Sequence, residues 1–374
     1  MVFSLRQLQE KAIEQYQELY IVFIDFRKAF DTVDRAMLWN VLAAFGCPPR
    51  FVKLIQEFHE GAKGRVAIGS EETGEVHVNQ GTKQGCVLAL ALFTLFLTVV
   101  LNILHQETDE GVYVRTRMDG KLFNLARLKA RSKTQLKLIT EFLFADDTAL
   151  VAHSEEDILR LVDTFSQASG RMGLQINTSK TEIIYQPSPD NTAPQEPVIQ
   201  INGDTLKVVP RFKYLGSTLT PDNRVDKEIS CRIQNACASY GKLERRLWTR
   251  PGIRLSTKCK VYKAVLLPAL LYSVETYTLY RGHMRRLEAV QQRHLRRIMN
   301  IKPDVRISNI ELLRRDGLES VEAVLAATQL RWLGNVARMK ESRIPSKFYT
   351  ESWPKVAAGW EVKNCATTMS QNAT

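Results

Sequence analysis

The chain contains two apolar runs that each end on acid, and together they fix the centre of any fold it can adopt. Leu19-Tyr20-Ile21-Val22-Phe23-Ile24 is β-branched and aromatic and stops at Asp25. A second run, Leu138 to Phe144, is broken by Asp146-Asp147 and resumes from Thr148 to Ala152. Runs of this length and makeup read as strands, the second as two strands joined by a tight acidic turn. Most Asp pairs are solvated turn residues. Carboxylates drawn together in a partly dry cleft, by contrast, cannot all stay ionised unless a cation neutralises them. Two divalent ions bridged by aspartates are what in-line phosphoryl transfer uses to stabilise the attacking and leaving oxygens.

Charge points the same way. The net charge is +12, and residues 224–302 hold 18 Lys/Arg against 5 Asp/Glu, so that segment carries the whole excess. A basic block of this kind suits a polyphosphate partner, which binds through counterion release, although a solvated helix face has the same composition. The six cysteines show no CxxC and no Cys/His ligand spacing, which argues against zinc and for reduced intracellular thiols. His283 and His294 stand among arginines and are expected to be solvated or phosphate-facing. Residues 1–18 are amphipathic rather than a signal peptide. The longest apolar stretch, Cys86 to Leu104, contains Thr94, Thr98 and Asn102 and reads as a buried core helix, with no membrane partner expected.

Along the chain, the first half alternates and the second half is helical. Strand 20–25 leads to a helix from Asp34, its N-cap, to Phe45, with Gly46 and Pro48-Pro49 as stop signals. A second helix runs to His59, short strands lie near 64–69 and 74–79, and the long helix follows. Residues 106–137 look like a surface insertion. After the acidic hairpin (139–152), Ser154-Glu155-Glu156-Asp157 caps a helix reaching Met172, and strands near 174–176 and 181–186 close this half. The proline-bearing loop 187–197 is the best boundary. A hairpin with Asn202-Gly203 at its tip, a strand at 212–216 and about five helical segments from 223 to 340 complete the pattern.

Three further stretches carry chemistry. Phe30, on the turn after Asp25, could pack on a sugar and exclude a 2′-hydroxyl, or simply anchor the turn. Gln84-Gly85, opening the apolar helix, permits close approach of an anion or a base pair. Lys180 could give a proton or a charge to leaving pyrophosphate.

Taken in order, Phe-Ile-Asp-x4-Phe-Asp (23–31), Lys-Gln-Gly-Cys-Val-Leu (83–88), Phe-Ala-Asp-Asp (144–147), Gly-Leu-x-x-Asn-x-x-Lys-Thr (173–181) and Phe-x-Tyr-Leu-Gly (212–216) resemble motifs A to E of reverse transcriptases. The chain is most similar to the LINE-type, non-LTR retrotransposon enzymes, over about residues 5–350. The resemblance implies an RNA-directed DNA polymerase that joins a dNTP to a primer 3′-OH on an RNA template. Its fold would be the α+β, ferredoxin-like palm of a right-hand polymerase, an antiparallel sheet with packed helices, followed by an all-α thumb. The implied divisions are palm with residual fingers (1–200), hairpin and primer grip (201–222), basic thumb (223–305), C-terminal helices (306–345) and a disordered tail (346–374). Asp25, Asp146 and the backbone carbonyl of Phe26 would hold two Mg²⁺ ions, with Mn²⁺ as substitute, and Asp147 would support them. Phe30 would gate the sugar, Gln84 and Gly85 would contact the template–nucleotide pair, and Lys180 would act near pyrophosphate. Phe212, Tyr214, Leu215 and Gly216 would form the primer grip. Arg285, Arg286, Arg296 and Arg297 would follow the duplex backbone. The setting would be intracellular, nuclear by resemblance, with the cytoplasm as alternative.

Two departures temper this. Only 24 residues precede Asp25, where the family carries its fingers, so the expectation is an N-terminally truncated copy with catalysis weakened or lost. Leu90-Ala91 also stand where these enzymes usually have a proline and a small polar residue. The alternative is a catalytically dead nucleic-acid binder or a decayed element fragment.

Overall fold

The computed structural model describes residues 1–352 except 70, 84, 118–133, 303, 341 and 342. Its described residues divide into two compact units, one built on 11–114 and 136–210, the other on 2–10, 115–117, 134–135 and those from 211 onward. The N-terminal helix α1 (Val2–Glu14) contributes to both. The proline-bearing loop 187–197 lies inside the first unit, and the division falls after Pro210 instead.

The first unit is built on β1 (Leu19–Ile24), which is buried at every residue. It is followed by α2 (Arg35–Ala44), α3 (Pro49–His59) and α4 (Val87–Glu107). Then come the hairpin β2 (Glu141–Phe144) and β3 (Asp147–Ala152), α5 (Glu155–Arg171), β4 (Glu182–Gln186) and the short β5 (Lys207–Val208). The strands lie in the order β5-β4-β1-β3-β2. β1 is antiparallel to both neighbours, from Tyr20↔Ala152 to Ile24↔Thr148 on one side and from Leu19↔Gln186 to Phe23↔Glu182 on the other. The succession β-α-β-β-α-β with β1 at the centre is the split, ferredoxin-like arrangement expected from the motifs.

Alternation explains the packing. Tyr20, Val22 and Ile24 share one core with Phe93, Phe96, Leu97 and Val100 of α4 and with Ile158, Leu161 and Phe165 of α5. α4 is the one helix among the described residues long and apolar enough to cross a membrane, yet all its buried side chains but Ala89 belong to this core. Its threonines are satisfied by the helix itself: the Thr94 hydroxyl donates to Leu90 O (2.8 Å) and that of Thr98 to Thr94 O (2.7 Å). Side-chain caps also form where the sequence places them. Asp34 accepts from the Met37 N–H (2.9 Å) and Ser154 from the Asp157 N–H (3.1 Å).

Two readings change. The strand expected at 174–176 is only a single bridge, Phe26↔Ile176, because the chain turns away at Lys28, whose φ is 50°. Of the insertion 106–137, Val112–Arg117 and Thr134–Ile139 are strands, and Val112 and Val114 are buried. Its central part, 118–133, lies outside the described residues.

The second unit holds the first turns of α1, the hairpin β6 (Phe212–Tyr214) and β7 (Ser217–Leu219), and helices. These are α6 (Asp226–Leu243), α7 (Leu255–Val261), α8 (Arg281–Ile298), α9 (Asn309–Asp316), α10 (Val321–Ala337) and α11 (Ile344–Ser352). Wider helical turns extend α6 through Trp248 and continue α7 toward Leu270. Their core gathers Ile229, Tyr240, Trp248, Tyr262, Leu287 and Leu295. The tail expected beyond 346 falls largely outside the described residues, which end at 352.

Candidate active site

The carboxylates converge. β1 pairs with β3 up to Ile24↔Thr148, so Asp25 emerges one residue beyond the last pair, next to Asp147 at the start of β3. Phe144 pairs with Asp147, which leaves Ala145-Asp146 as a two-residue turn at the same end of the sheet. That turn holds Ala145 at φ 55°, a left-handed conformation costing on the order of 1 kcal/mol for a residue with a β-carbon. Asp25 and Asp146 are half-buried and Asp147 is exposed. The Asp147 carboxyl holds its proton more tightly than an ordinary aspartate, first because of partial desolvation, then because of the charges of Asp146 and Asp25. Residues more than a hundred positions apart therefore share one electrostatic neighbourhood.

Asp25 is fixed from the segment before β4. Asn177 donates its side-chain amide to Asp25 Oδ2 (3.2 Å) and its backbone N–H to Asp25 O (2.7 Å). The Thr181 hydroxyl accepts from the Asp25 N–H (3.2 Å), and the Arg27 N–H donates to Gln175 O (2.8 Å). Neither Asn177 nor Thr181 was singled out by sequence, although both stand in the string that supplied Lys180. Lys180 itself is exposed on the turn closed by its N–H to Asn177 O (3.1 Å).

The Phe26 ring is buried, 6.0 Å from that of Phe165, which leaves only its backbone for the cleft. Phe30 is half-buried with its ring 4.7 Å from Phe93, so it anchors the turn whatever else it touches. Beside it, the loop opening α4 is zipped onto this turn. The Thr82 N–H donates to Phe30 O (2.8 Å), the Gly81 N–H to Val33 O (2.9 Å), and Arg35 to Gly81 O (2.9 Å). Gly81 is required there: at φ 76° its β-carbon would lie 2.6–2.7 Å from the Asp31 backbone. Gly85 is exposed at φ 87°, with open space where a β-carbon would stand. Gln84 lies outside the described residues.

The charge balance fits a cation. Among the described residues none of the three aspartates is ion-paired to Lys or Arg. Among the described residues no group of three or more His, Cys, Asp and Glu side chains is placed to hold a metal ion by itself. Asp25 and Asp146 are oxygen donors of the kind that would hold Mg²⁺, an ion that keeps much of its shell for water and phosphate.

In the second unit, Phe212 is half-buried and Tyr214 buried, and Leu215-Gly216 form the turn of the β6–β7 hairpin. Arg285 and Arg297 are exposed on α8, and Arg286 bonds the Ser230 hydroxyl (2.9 Å). Arg296 differs from expectation: its guanidinium holds Ile307 O (3.0 Å) and Asn309 Oδ1 (2.8 Å), bracing the link to α9. The histidines differ too. His283 is buried with Nε2 3.0 Å from Asp226 Oδ1, and His294 is buried with its ring stacked 4.4 Å from Tyr240.

Comparison with known proteins gives this arrangement a context. The chain is 24% identical over 346 residues to the Retrovirus-related Pol polyprotein from type-2 retrotransposable element R2DM of Drosophila melanogaster, covering 90% of this chain and 30% of that one. It is 25% identical over 312 residues to the RNA-directed DNA polymerase from mobile element jockey of the same species, covering 80% and 30%. It therefore spans under a third of the length of these relatives. Among solved structures, apo telomerase from Candida tropicalis superposes with a TM-score of 0.42 at 12% identity, covering 93% of this chain and 56% of that one. The family model for reverse transcriptase (RNA-dependent DNA polymerase) matches residues 2–219, from α1 through the three carboxylates to the end of the hairpin. That is more than half of the sequence, and the chain belongs to the reverse transcriptase family.

Proposed function

We propose that this chain is the polymerase portion of a retrotransposon reverse transcriptase, joining a dNTP to the 3′-OH of a primer on an RNA template. One observation carries the reading: Asp25, Asp146 and Asp147 meet at one end of β1 and β3, none of them ion-paired to a Lys or Arg among the described residues, in a chain of this family. Asp25, Asp146 and the Phe26 carbonyl would hold Mg²⁺, which would stabilise charge on the attacking and leaving oxygens. Asn177 keeps the Asp25 carboxylate in one orientation, leaving its other oxygen free to serve. Phe30, fixed against Phe93, bounds the space for the sugar. Lys180, exposed on its turn, supplies a proton to departing pyrophosphate. The exposed Arg285 and Arg297 give α8 a charged face for phosphates.

Primer extension on an RNA template, with Mg²⁺, tests this. Wild-type protein is expected to extend the primer, and Asp146→Asn to lose at least about 100-fold in rate. Equal incorporation by the two, or none by either, overturns the proposal.

A further inference from the structure

The turn of the β6–β7 hairpin is braced from the helices of its own unit. Leu215 and Gly216 both have positive φ, 47° and 77°, and each turn carbonyl is held by a different side chain. The Tyr272 hydroxyl donates to Leu215 O (3.0 Å), and the Arg232 guanidinium donates to Gly216 O. A β-carbon on Gly216 would press on the Tyr272 ring at 3.3–3.5 Å. Arg232 also lies over that ring, 4.6 Å from its centre, and its Nε donates to Glu228 (2.7 Å). Glu228, fully buried, accepts from the Thr218 N–H (2.6 Å) and the Ser217 hydroxyl (3.2 Å) as well. The two turn carbonyls, the Ser217 hydroxyl and the Thr218 N–H are thus tied through Arg232 and the buried Glu228 into one charge-assisted network.

Tyr272 is the exception to that burial. With one ring face under Arg232 and its edge against Gly216, it still leaves 48% of its surface exposed. A brace alone would need no open ring. Bases and sugars stack on such rings whatever their sequence. Neighbouring Arg211 and Lys213 are exposed and supply charge for a phosphate.

We infer that Tyr272 is a binding residue for the 3′-terminal nucleotide of the primer, held at the hairpin tip by Arg232 and by its own bond to Leu215. The inference rests on the reading of Phe212–Gly216 as the primer grip. It predicts a preference for recessed ends that does not depend on catalysis.

Fluorescence anisotropy with two duplexes of one sequence, one with a recessed 3′ end and one blunt, tests it on the full chain. Wild-type protein should favour the recessed duplex. Tyr272→Ala should bind it about tenfold more weakly while binding the blunt duplex unchanged. Tyr272→Phe, which keeps the ring and loses the bond to Leu215, should fall between. Steady-state extension by Tyr272→Ala should show the same rise in KM for primer–template with kcat within about threefold. If both duplexes weaken together, or neither does, Tyr272 has no such role. Should Tyr272→Ala melt far below wild type, Tyr272→Phe decides alone, and an unchanged preference in it refutes the bracing. Absence of extension by wild type, with the end preference intact, would instead remove the polymerase reading and leave the binding site standing.

Discussion

At the scale of single residues, the candidate site turns on an aspartate held by an asparagine. Asn177 is neutral, so it orients Asp25 without neutralising its charge. Replacing Asn177 by alanine should lower the extension rate by 10- to 100-fold, in the range found for groups that orient metal-binding side chains. A Mg²⁺ titration should shift to higher concentration, while the melting temperature moves little because Asn177 is only half-buried. The carboxylates themselves were legible, since each ends an apolar run whose register is set by burial. Asn177 was not. Its role depends on residues 25–27 pairing with 175–177, a contact across about 150 positions that no local pattern encodes. Ala145 was equally hidden, because nothing in its neighbours announces a positive φ.

At the scale of elements, strands and helices followed their periodicities closely where one face is buried. β1, α4, α5 and the acidic hairpin begin and end within a few residues of the sequence reading. The histidines of α8 show how local context misleads. Flanked by arginines, they read as solvated, yet His283, Leu287, Val290, His294 and Ile298 recur at helical spacing and all are buried. The period was a better guide than the neighbours. Burial, reinforced by Arg297 and Arg293, brings the His294 imidazole down to about 4 from an ordinary value of 6.5. It is therefore neutral in the folded unit at pH 7. Its contribution to stability is complete above pH 6.5, where the unfolded chain is also neutral, and is lost as the pH falls toward 4. Thermal melts at pH 7 and pH 5 should show this loss, and His294→Gln should flatten that part of the profile.

At the scale of the whole molecule, sequence order and spatial order part company. Residues 2–10 of α1 belong with the hairpin and the helices beyond 211 rather than with the sheet that follows them in the chain. Arg6 is buried, donates to Thr218 O (2.8 Å), lies 5.0 Å from the centre of the Tyr277 ring, and its own carbonyl accepts from Asn223 (3.2 Å). Gln9 donates to Thr220 O (2.9 Å). Arg6→Ala should destabilise the second unit by about 2 kcal/mol, since it empties a buried side-chain position and leaves the half-buried Thr218 carbonyl without this donor. Hydrogen exchange would locate the effect: amides of 212–219 should lose protection while those of 19–24 keep theirs. Local patterns located the basic block of this unit but could not reveal that its first helix comes from the opposite end of the chain.

This placement has a consequence for biosynthesis. On the ribosome, α1 emerges well before the hairpin it packs with, which lies some 200 positions downstream. The nascent chain must carry the buried face of that helix, Leu5 and Leu8 included, until residues 212–220 have emerged, while the sheet around β1 can already assemble. Chaperone demand on α1 should accordingly persist until the hairpin leaves the exit tunnel.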